Sequence, residues 1–364
     1  MNTEIKDKIQ TLWKQLHEQP ELSGEENNTK AILKNFLKQN TSFRIEETDS
    51  CIYAVYDNTG ERICLRADMD AICNSKGQAF HGCGHDGHSA ALAGAALLLE
   101  EEHRKGETID KSVIFLWQTA EETGAGARQS TNIIQKEDVQ KIYGCHNIPG
   151  YPMGEVLLRK DVFACASKGM IISLQGKQSH AAYPEQGINP GYLLGDILCQ
   201  LKKWCHLPDY RGMVLASIIS IQEGNQNFGV SAGDAELSLT IRGEYLEDLE
   251  KLQQTIEEYT HTEALEQGVT VNFRYQDEFP DTVNDNELVE QFENKIAKKG
   301  YSYCYLSEPM RWSEDFGWYQ KECPGVYFGV GSGEKTPGLH TDEYVYPIEL
   351  LENMEEIWST LFLK

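Results

Sequence analysis

Between residues 51 and 148 the chain repeats one arrangement: short apolar runs, CIYAVYD, RICLRADMD, SVIFLWQTAEE and KIYGCHN, each end on polar or ligand-type residues. With the Ala-rich helical stretch SAALAGAALLLEEE set among them, such runs are the buried strands of a mostly parallel sheet layered with helices. Ligands of such sheets bind beyond the carboxyl ends of the strands, which is where AEE and GCHN fall. Two helices come first. Ile5, Ile9, Leu12, Trp13 and Leu16 stand at helical spacing, and Ser23 followed by Glu26 has the pattern of a capping box opening a helix with Ile32, Leu33, Phe36 and Leu37.

Near residue 167 the pattern changes. Strand-like GMIISLQ, a helix after Asn189-Pro190, strand-like MVLASIISI and AELSLTIRG, a helix over about 246 to 267 and strand-like VTVNFRYQ follow in that order. The order β-α-β-β-α-β predicts a ferredoxin-like domain inserted into the first one. The expected organisation is α/β: residues 1–166 and 279–364 form a catalytic domain, and residues 167–278 an inserted lid. A chain of 364 residues with 40% apolar content is large enough for both cores.

A net charge of -24 repels phosphate backbones and anionic lipid, so nucleic acid and membrane are not expected partners. No apolar run reaches the ~20 residues of a membrane span, and MNTEIKDKIQ lacks the regions of a signal peptide, so the expected location is the cytoplasm. Ten cysteines are too dilute for a disulfide scaffold, and there is no CxxC pair; contexts such as ICL, FAC and ILCQ read as small hydrophobes. Only Cys83 sits among other ligand-type residues.

That setting is HGCGHDGH, residues 81 to 88. A metal site, a nucleophilic cysteine, a redox thiol and a tight polar loop all compete for it. One histidine alone is more often structural than ligating. The informative fact is that donors arrive from four distant places: Cys83 and His85, then Glu121 and Glu122, then His146, then His340. Neighbouring glutamates on extended backbone point in opposite directions, so one can face a metal while the other holds a proton. A cysteine nucleophile beside His85 leaves the other histidines and the carboxylate pair without a task. His88 and Asp86 either orient the ligands or cap the following helix.

HEQPELSGEE, LRADMDA, CGHDGHSAALAGAA, QTAEETGAGA, CHNIPG, GKQSHAAYPEQGINP, SEDF and GLHTDEY occur in order along the chain. In this the chain resembles the zinc-peptidase-like amidohydrolases that include N-acyl-amino-acid aminoacylase, hippurate hydrolase and the indole-acetyl-amino-acid hydrolases. The resemblance implies an aminopeptidase-like catalytic domain with two metals and a ferredoxin-like lid that often mediates homodimers. It implies Cys83, His85, Glu122, His146 and His340 as metal ligands, Cys83 as the bridge and Glu121 as general base. His180 on the lid resembles the residue that polarises the scissile carbonyl, and Asn227 and Arg242 resemble substrate-contacting positions. Asp68 and Asp70 fall near the site. The implied cofactors are two divalent ions, zinc or manganese, with cobalt and nickel also suited to such donors. The implied substrate is an N-acyl amino acid. Alternatives are a dipeptide, cut by a dipeptidase or carboxypeptidase with the same site, and, outside enzymes, a silent metal-stabilised binding protein.

The chain departs from that pattern in three places. Relatives carry Leu-Pro and a longer loop before Cys-Gly-His, where this chain has only AICNSKGQAFHG. TGAGA replaces a glycine run, and Thr341-Asp342 follows the last histidine where Ser-Pro or Asn-Pro is usual. None removes a donor; the first bears on substrate choice.

Overall fold

The computed structural model describes residues 3–363. They divide into two compact units, one made of the chain up to Phe163 with Thr282–Pro309 and everything from Glu314 onward, the other of Ala164–Asp281 with Met310–Ser313.

The first unit contains α1 (Thr3–His17), α2 (Asn27–Asn40), β1 (Arg44–Glu47), β2 (Cys51–Tyr56), β3 (Glu61–Asp68), α3 (His85–Lys105), β4 (Lys111–Gln118), β5 (Lys141–Ile148) and β6 (Val156–Leu158). The second contains β7 (Ala166–Gln175), α4 (Gly191–Trp204), β8 (Val214–Glu223), β9 (Asp234–Gly243), α5 (Leu246–Gln267) and β10 (Thr270–Phe279). The chain then returns to the first with α6 (Asn286–Lys298), β11 (Tyr303–Tyr305), β12 (Gly325–Gly331) and α7 (Leu350–Ser359).

The central sheet has the order β1-β2-β4-β3-β5-β12-β6-β11. β3 is parallel to β4 and β5, β12 to β5, and β11 to β6. Antiparallel pairs lie at β1–β2, β2–β4 and β12–β6. β4, β5 and β12 are buried along almost their whole length, which is why they read as continuous apolar runs rather than alternating ones. Because β3, β4 and β5 run the same way, Asp68, Gln118 and the end of β5 come out on one edge of the sheet. α3 packs against α1 and α7 and is buried on every side over residues 85–97, Ala90, Ala91, Ala93, Ala95 and Ala96 among its fully buried residues; Gly94 lies where α1 and α7 approach, a Cβ there falling 2.5 Å from Ile9 and 2.9 Å from Glu355.

Three local expectations change. α3 begins at His85 itself, so His85, Asp86 and His88 belong to its first turn and not to a preceding loop. His146 lies inside β5 rather than at its end. The capping box is not formed: Glu26 precedes α2 but makes no side-chain cap, and Glu21 instead accepts from the N–H groups of Asn28 at 3.1 Å and Thr29 at 2.7 Å. All ten cysteines are free; Cys64 and Cys165 are buried, whereas Cys199 is exposed because α4 turns Leu194, Ile197 and Leu201 inward and leaves it on the far side.

The second unit is a four-stranded antiparallel sheet of order β8-β9-β7-β10 with α4 and α5 packed on it, the ferredoxin-like arrangement. Alternate residues of β9, Ala235, Leu237, Leu239 and Ile241, are buried against those helices. Met310 and Trp312 join this unit because their carbonyls accept from Cys165 N–H at 3.1 and 3.2 Å. No helix among the described residues is long and apolar enough to cross a membrane.

Candidate metal centre

Cys83 and His85 are presented by a turn that only glycine allows. Gly84 has φ +92°, and a Cβ there would lie 2.4 Å from Asn147 Oδ1 and 2.7 Å from Tyr344 Oη. Cys83 Sγ stands 3.3 Å from His146 Nε2 and 3.3 Å from His340 Nε2. Glu122 Oε1 is 3.3 Å from His340 Nε2 and 3.8 Å from His85 Nε2. Donor atoms of Cys83, His85 and His146 lie within 4.8 Å of one another, as do those of Cys83, Glu122 and His340, and those of His85, Glu121 and Glu122. The sulfur therefore sits where two donor groups meet. Two residues that deliver these donors are strained: Ala120 has φ +53° and His340 φ +62°, the latter held by its N–H on Gly82 O at 2.8 Å.

The buried polar atoms fit a cation. His85 Nδ1 pairs with Asp70 Oδ1 at 3.0 Å and His146 Nδ1 with Asn147 O at 2.7 Å; with each proton on Nδ1, both Nε2 lone pairs face the sulfur's side. His85 Nε2 and Glu122 Oε1 are buried without a hydrogen-bond partner among the described residues. Burial depresses His85, yet Asp68, Asp70 and Glu122 overcome it and push its pKa up to about 10, so the surroundings demand positive charge. Burial and then His88 hold His146 well below the usual histidine range, neutral as a ligand requires. Burial, Glu122 and Glu121 push the Cys83 thiol well up, opposite to the depression that a nucleophilic thiolate needs.

His88, whose donor atom also falls within 4.8 Å of those of Asp68 and His85, has a partner on each ring nitrogen. Its Nδ1 is 2.7 Å from Asp68 Oδ1 and its Nε2 2.6 Å from Asn147 Oδ1. Asp86 Oδ2 lies 2.7 Å from His17 Nδ1 and ties α3 to α1.

Beneath the site lies a charged network to which the motifs gave no role. Arg66, fully buried, places Nη1 2.9 Å from Asp68 Oδ2, Nη2 3.1 Å from Glu314 Oε1 and 2.7 Å from Asp315 Oδ1, and Nε 2.9 Å from Gln118 Oε1. Asp315 Oδ2 accepts from Gln118 Nε2 at 2.7 Å and Ala127 N–H at 2.8 Å, Tyr327 donates to Glu314, and Asp315 N–H reaches Glu121 Oε1 at 3.4 Å. Burial, Glu314 and Glu122 hold the Glu121 carboxyl well above the usual range. The available signal was in the motifs themselves: Arg66 in LRADMDA, and Glu314 and Asp315 in SEDF.

Two departures from the family pattern touch each other. The shortened stretch before Cys83 is a hairpin, Ile72–Cys73 paired with Ala79–Phe80, and Ser75 in its turn donates through its N–H at 3.1 Å and through its hydroxyl to Asp342.

His180, Asn227 and Arg242 belong to the second unit. His180 is exposed on a short strand paired with Val230, and Ala182 N–H donates to its Nδ1 at 3.1 Å, which leaves the proton on Nε2. Asn227 is exposed in the neighbouring loop, where its Oδ1 accepts from Gly229 N–H at 3.1 Å. Arg242 Nη1 donates to Arg311 O at 3.1 Å and Ser313 Oγ at 2.8 Å, and burial pushes its pKa below the usual arginine value.

Residues 64–364 match the family model described as peptidase family M20/M25/M40. An Arabidopsis thaliana IAA-amino acid hydrolase ILR1-like 5 is 30% identical over 346 residues, 89% of this chain and 78% of that protein. An N-acetyldiaminopimelate deacetylase of Exiguobacterium sibiricum is 28% identical, covering 90% of this chain and 91% of its own. The fold matches that of a Bacillus subtilis protein described as a dinuclear metal-binding M20 peptidase, with TM-score 0.83, 24% identity and coverage of 99% and 98%.

Proposed function

Because the chain belongs to peptidase family M20/M25/M40, we propose that it is a metal-dependent amidohydrolase that cleaves the amide bond of N-acyl amino acids. The observation that carries this reading is the Cys83 sulfur between two donor groups, with the orphaned His85 Nε2 and Glu122 Oε1 beside a buried Glu121. Cys83, His85, Glu122, His146 and His340 would hold two divalent ions, zinc or manganese. Bound there, the ions supply Lewis acidity, which acidifies water and polarises an amide carbonyl.

The remaining work falls to the chain. Glu121 takes the proton of the attacking water and passes it to the leaving nitrogen, its carboxyl being buried beside the donors. Asp70 fixes the ring of His85 and, through its other oxygen, the Glu122 backbone N–H at 3.0 Å. On the lid, His180 stabilises the developing oxyanion, while Asn227 and Arg242 hold the substrate; a half-buried guanidinium bonded only to neutral oxygens among the described hydrogen bonds suits a carboxylate.

The lid also carries a surface suited to a second copy of the chain. β8 is an edge strand, and Ile218, Ile219 and Ile221 are 50, 63 and 49% exposed on it, consecutive isoleucines being turned outward by the bulge between residues 218 and 220. An apolar edge of this kind invites pairing, and we assign it to a homodimer.

Elemental analysis and a panel of N-acyl amino acids and dipeptides test the reading. Glu121→Gln should keep two equivalents of metal while kcat falls by roughly a hundredfold or more, and Glu122→Gln should lose metal. A Glu121→Gln variant with undiminished turnover would sink it, and dipeptides alone being cleaved would move it to a dipeptidase.

A further inference from the structure

Ser23 and Glu26 are drawn away from α2 to the turn that delivers Glu121 and Glu122. Glu26 is 1% exposed, and its Oε1 accepts the backbone N–H of Ala120 at 2.7 Å. Ala120 is in the left-handed region with φ +53°, a conformation that is strained for an alanine and persists only where the surroundings impose it.

The restraints can be named. Thr119 is tied to Ser50 O by its N–H at 3.0 Å and its hydroxyl at 2.9 Å. Ala120 O accepts from Gly126 N–H at 3.1 Å. Glu122 N–H donates to Asp70 Oδ2 at 3.0 Å, the same oxygen that takes the Ser23 hydroxyl at 2.7 Å. One short segment thus reaches both sides of the turn, Glu26 directly and Ser23 through Asp70. If Ala120 relaxed to the ordinary helical region, its φ would change by roughly 110°, and the two glutamate side chains would leave the backbone in new directions.

We propose that Glu26 is a positioning residue: it clamps Ala120 in the left-handed form and so fixes which of the adjacent glutamates faces the metal donors and which holds the proton. The roles of the two glutamates rest on the amidohydrolase reading; the clamp itself does not. The simpler account makes Glu26 an anchor for the start of α2.

A crossed pair of substitutions separates the two. Glu26→Gln keeps the length and the accepting oxygen but drops the charge, whereas Glu26→Asp keeps the charge and withdraws the acceptor by about one carbon–carbon bond, ~1.5 Å. In metal-free protein, hydrogen exchange at the Ala120 amide should be similar in wild type and Glu26→Gln and about tenfold faster in Glu26→Asp. Loaded with cobalt(II), Glu26→Gln should show the wild-type visible spectrum and at least about half of wild-type kcat. Glu26→Asp should show an altered spectrum and a kcat lower by about tenfold, with KM within about twofold. Ala120→Gly adopts the left-handed form unaided, so adding it to Glu26→Asp should restore the spectrum and most of the lost kcat; an anchor for α2 gives no such rescue. The proposal is overturned if Glu26→Gln is as impaired as Glu26→Asp, or if Glu26→Asp leaves both the exchange rate and the cobalt spectrum unchanged. Should the wild type cleave no amide, the amidohydrolase reading fails, while exchange and spectrum still decide the clamp.

Discussion

Glu355 offers a test of the helix layer that carries the site's sheet. It lies on α7 with 0% exposure, neither carboxylate oxygen has a partner among the described residues, and a Cβ built on Gly94 of α3 would come within 2.9 Å of Oε2. Burial, then Glu356 and Glu352, raise its pKa from 4.5 to about 8. Below pH 4.5 the carboxyl is protonated in both folded and unfolded chains and contributes no difference. Between pH 4.5 and 8 the unfolded chain ionises while the folded one keeps its proton, so stability falls with rising pH, by about 1.4 kcal/mol per pH unit. The loss at pH 7 is about 3 kcal/mol, and it levels off above pH 8. Glu355→Gln cannot ionise. Its stability relative to wild type should therefore grow by about 2–3 kcal/mol from pH 5.5 to 7.5. Urea unfolding in chelator at several pH values reads this, followed by tryptophan fluorescence, since four of the six tryptophans lie in the first unit. A difference between the two proteins that stays flat with pH would refute a protonated, unpartnered Glu355.

Arg66→Met should destabilise the first unit by about 3–5 kcal/mol in the same assay, because Asp68, Glu314 and Asp315 lose their shared cation. Adding Asp315→Asn should recover part of that loss, and strictly additive effects would show that the two groups are not coupled. Light scattering should give a dimer for the wild type and a monomer for Ile219→Lys, which puts a charge on the exposed edge strand; a wild-type monomer ends the dimer assignment.

The buried strands of the central sheet and the inserted β-α-β-β-α-β unit were legible because both rest on period and run length. β4, β5 and β12 are buried on both faces, and β9 on one, and their sequences differ accordingly. The candidate donors stood out for a different reason: one cysteine and three histidines, His85, His146 and His340, recur with a glutamate pair at places far apart in the sequence. The motif that contains Arg66 was legible, but the pairing of this arginine was not. In RICLRADMD it looks like any strand arginine, and its burial is intelligible only with Asp315, 249 residues away, bonded to it. Nor does sequence say that Ser75 and Asp342 meet, since 267 residues separate them.

Glu26 shows how a correct local rule loses to a distant contact. A capping box contributes about 1 kcal/mol, and α2 has a substitute in Glu21, which already takes two of its first N–H groups. The buried Ala120 N–H accepts no such substitution. Left unpaired it would cost about 1–3 kcal/mol, added to the strain of the left-handed backbone. The chain is therefore more stable with Glu26 on Ala120 and Glu21 on the helix than with Glu26 capping. The same comparison explains Ser23, whose hydroxyl goes to the fully buried Asp70 rather than to the start of α2. A residue pattern that fits a local motif can thus be read twice. The larger unsatisfied group decides which reading the fold adopts.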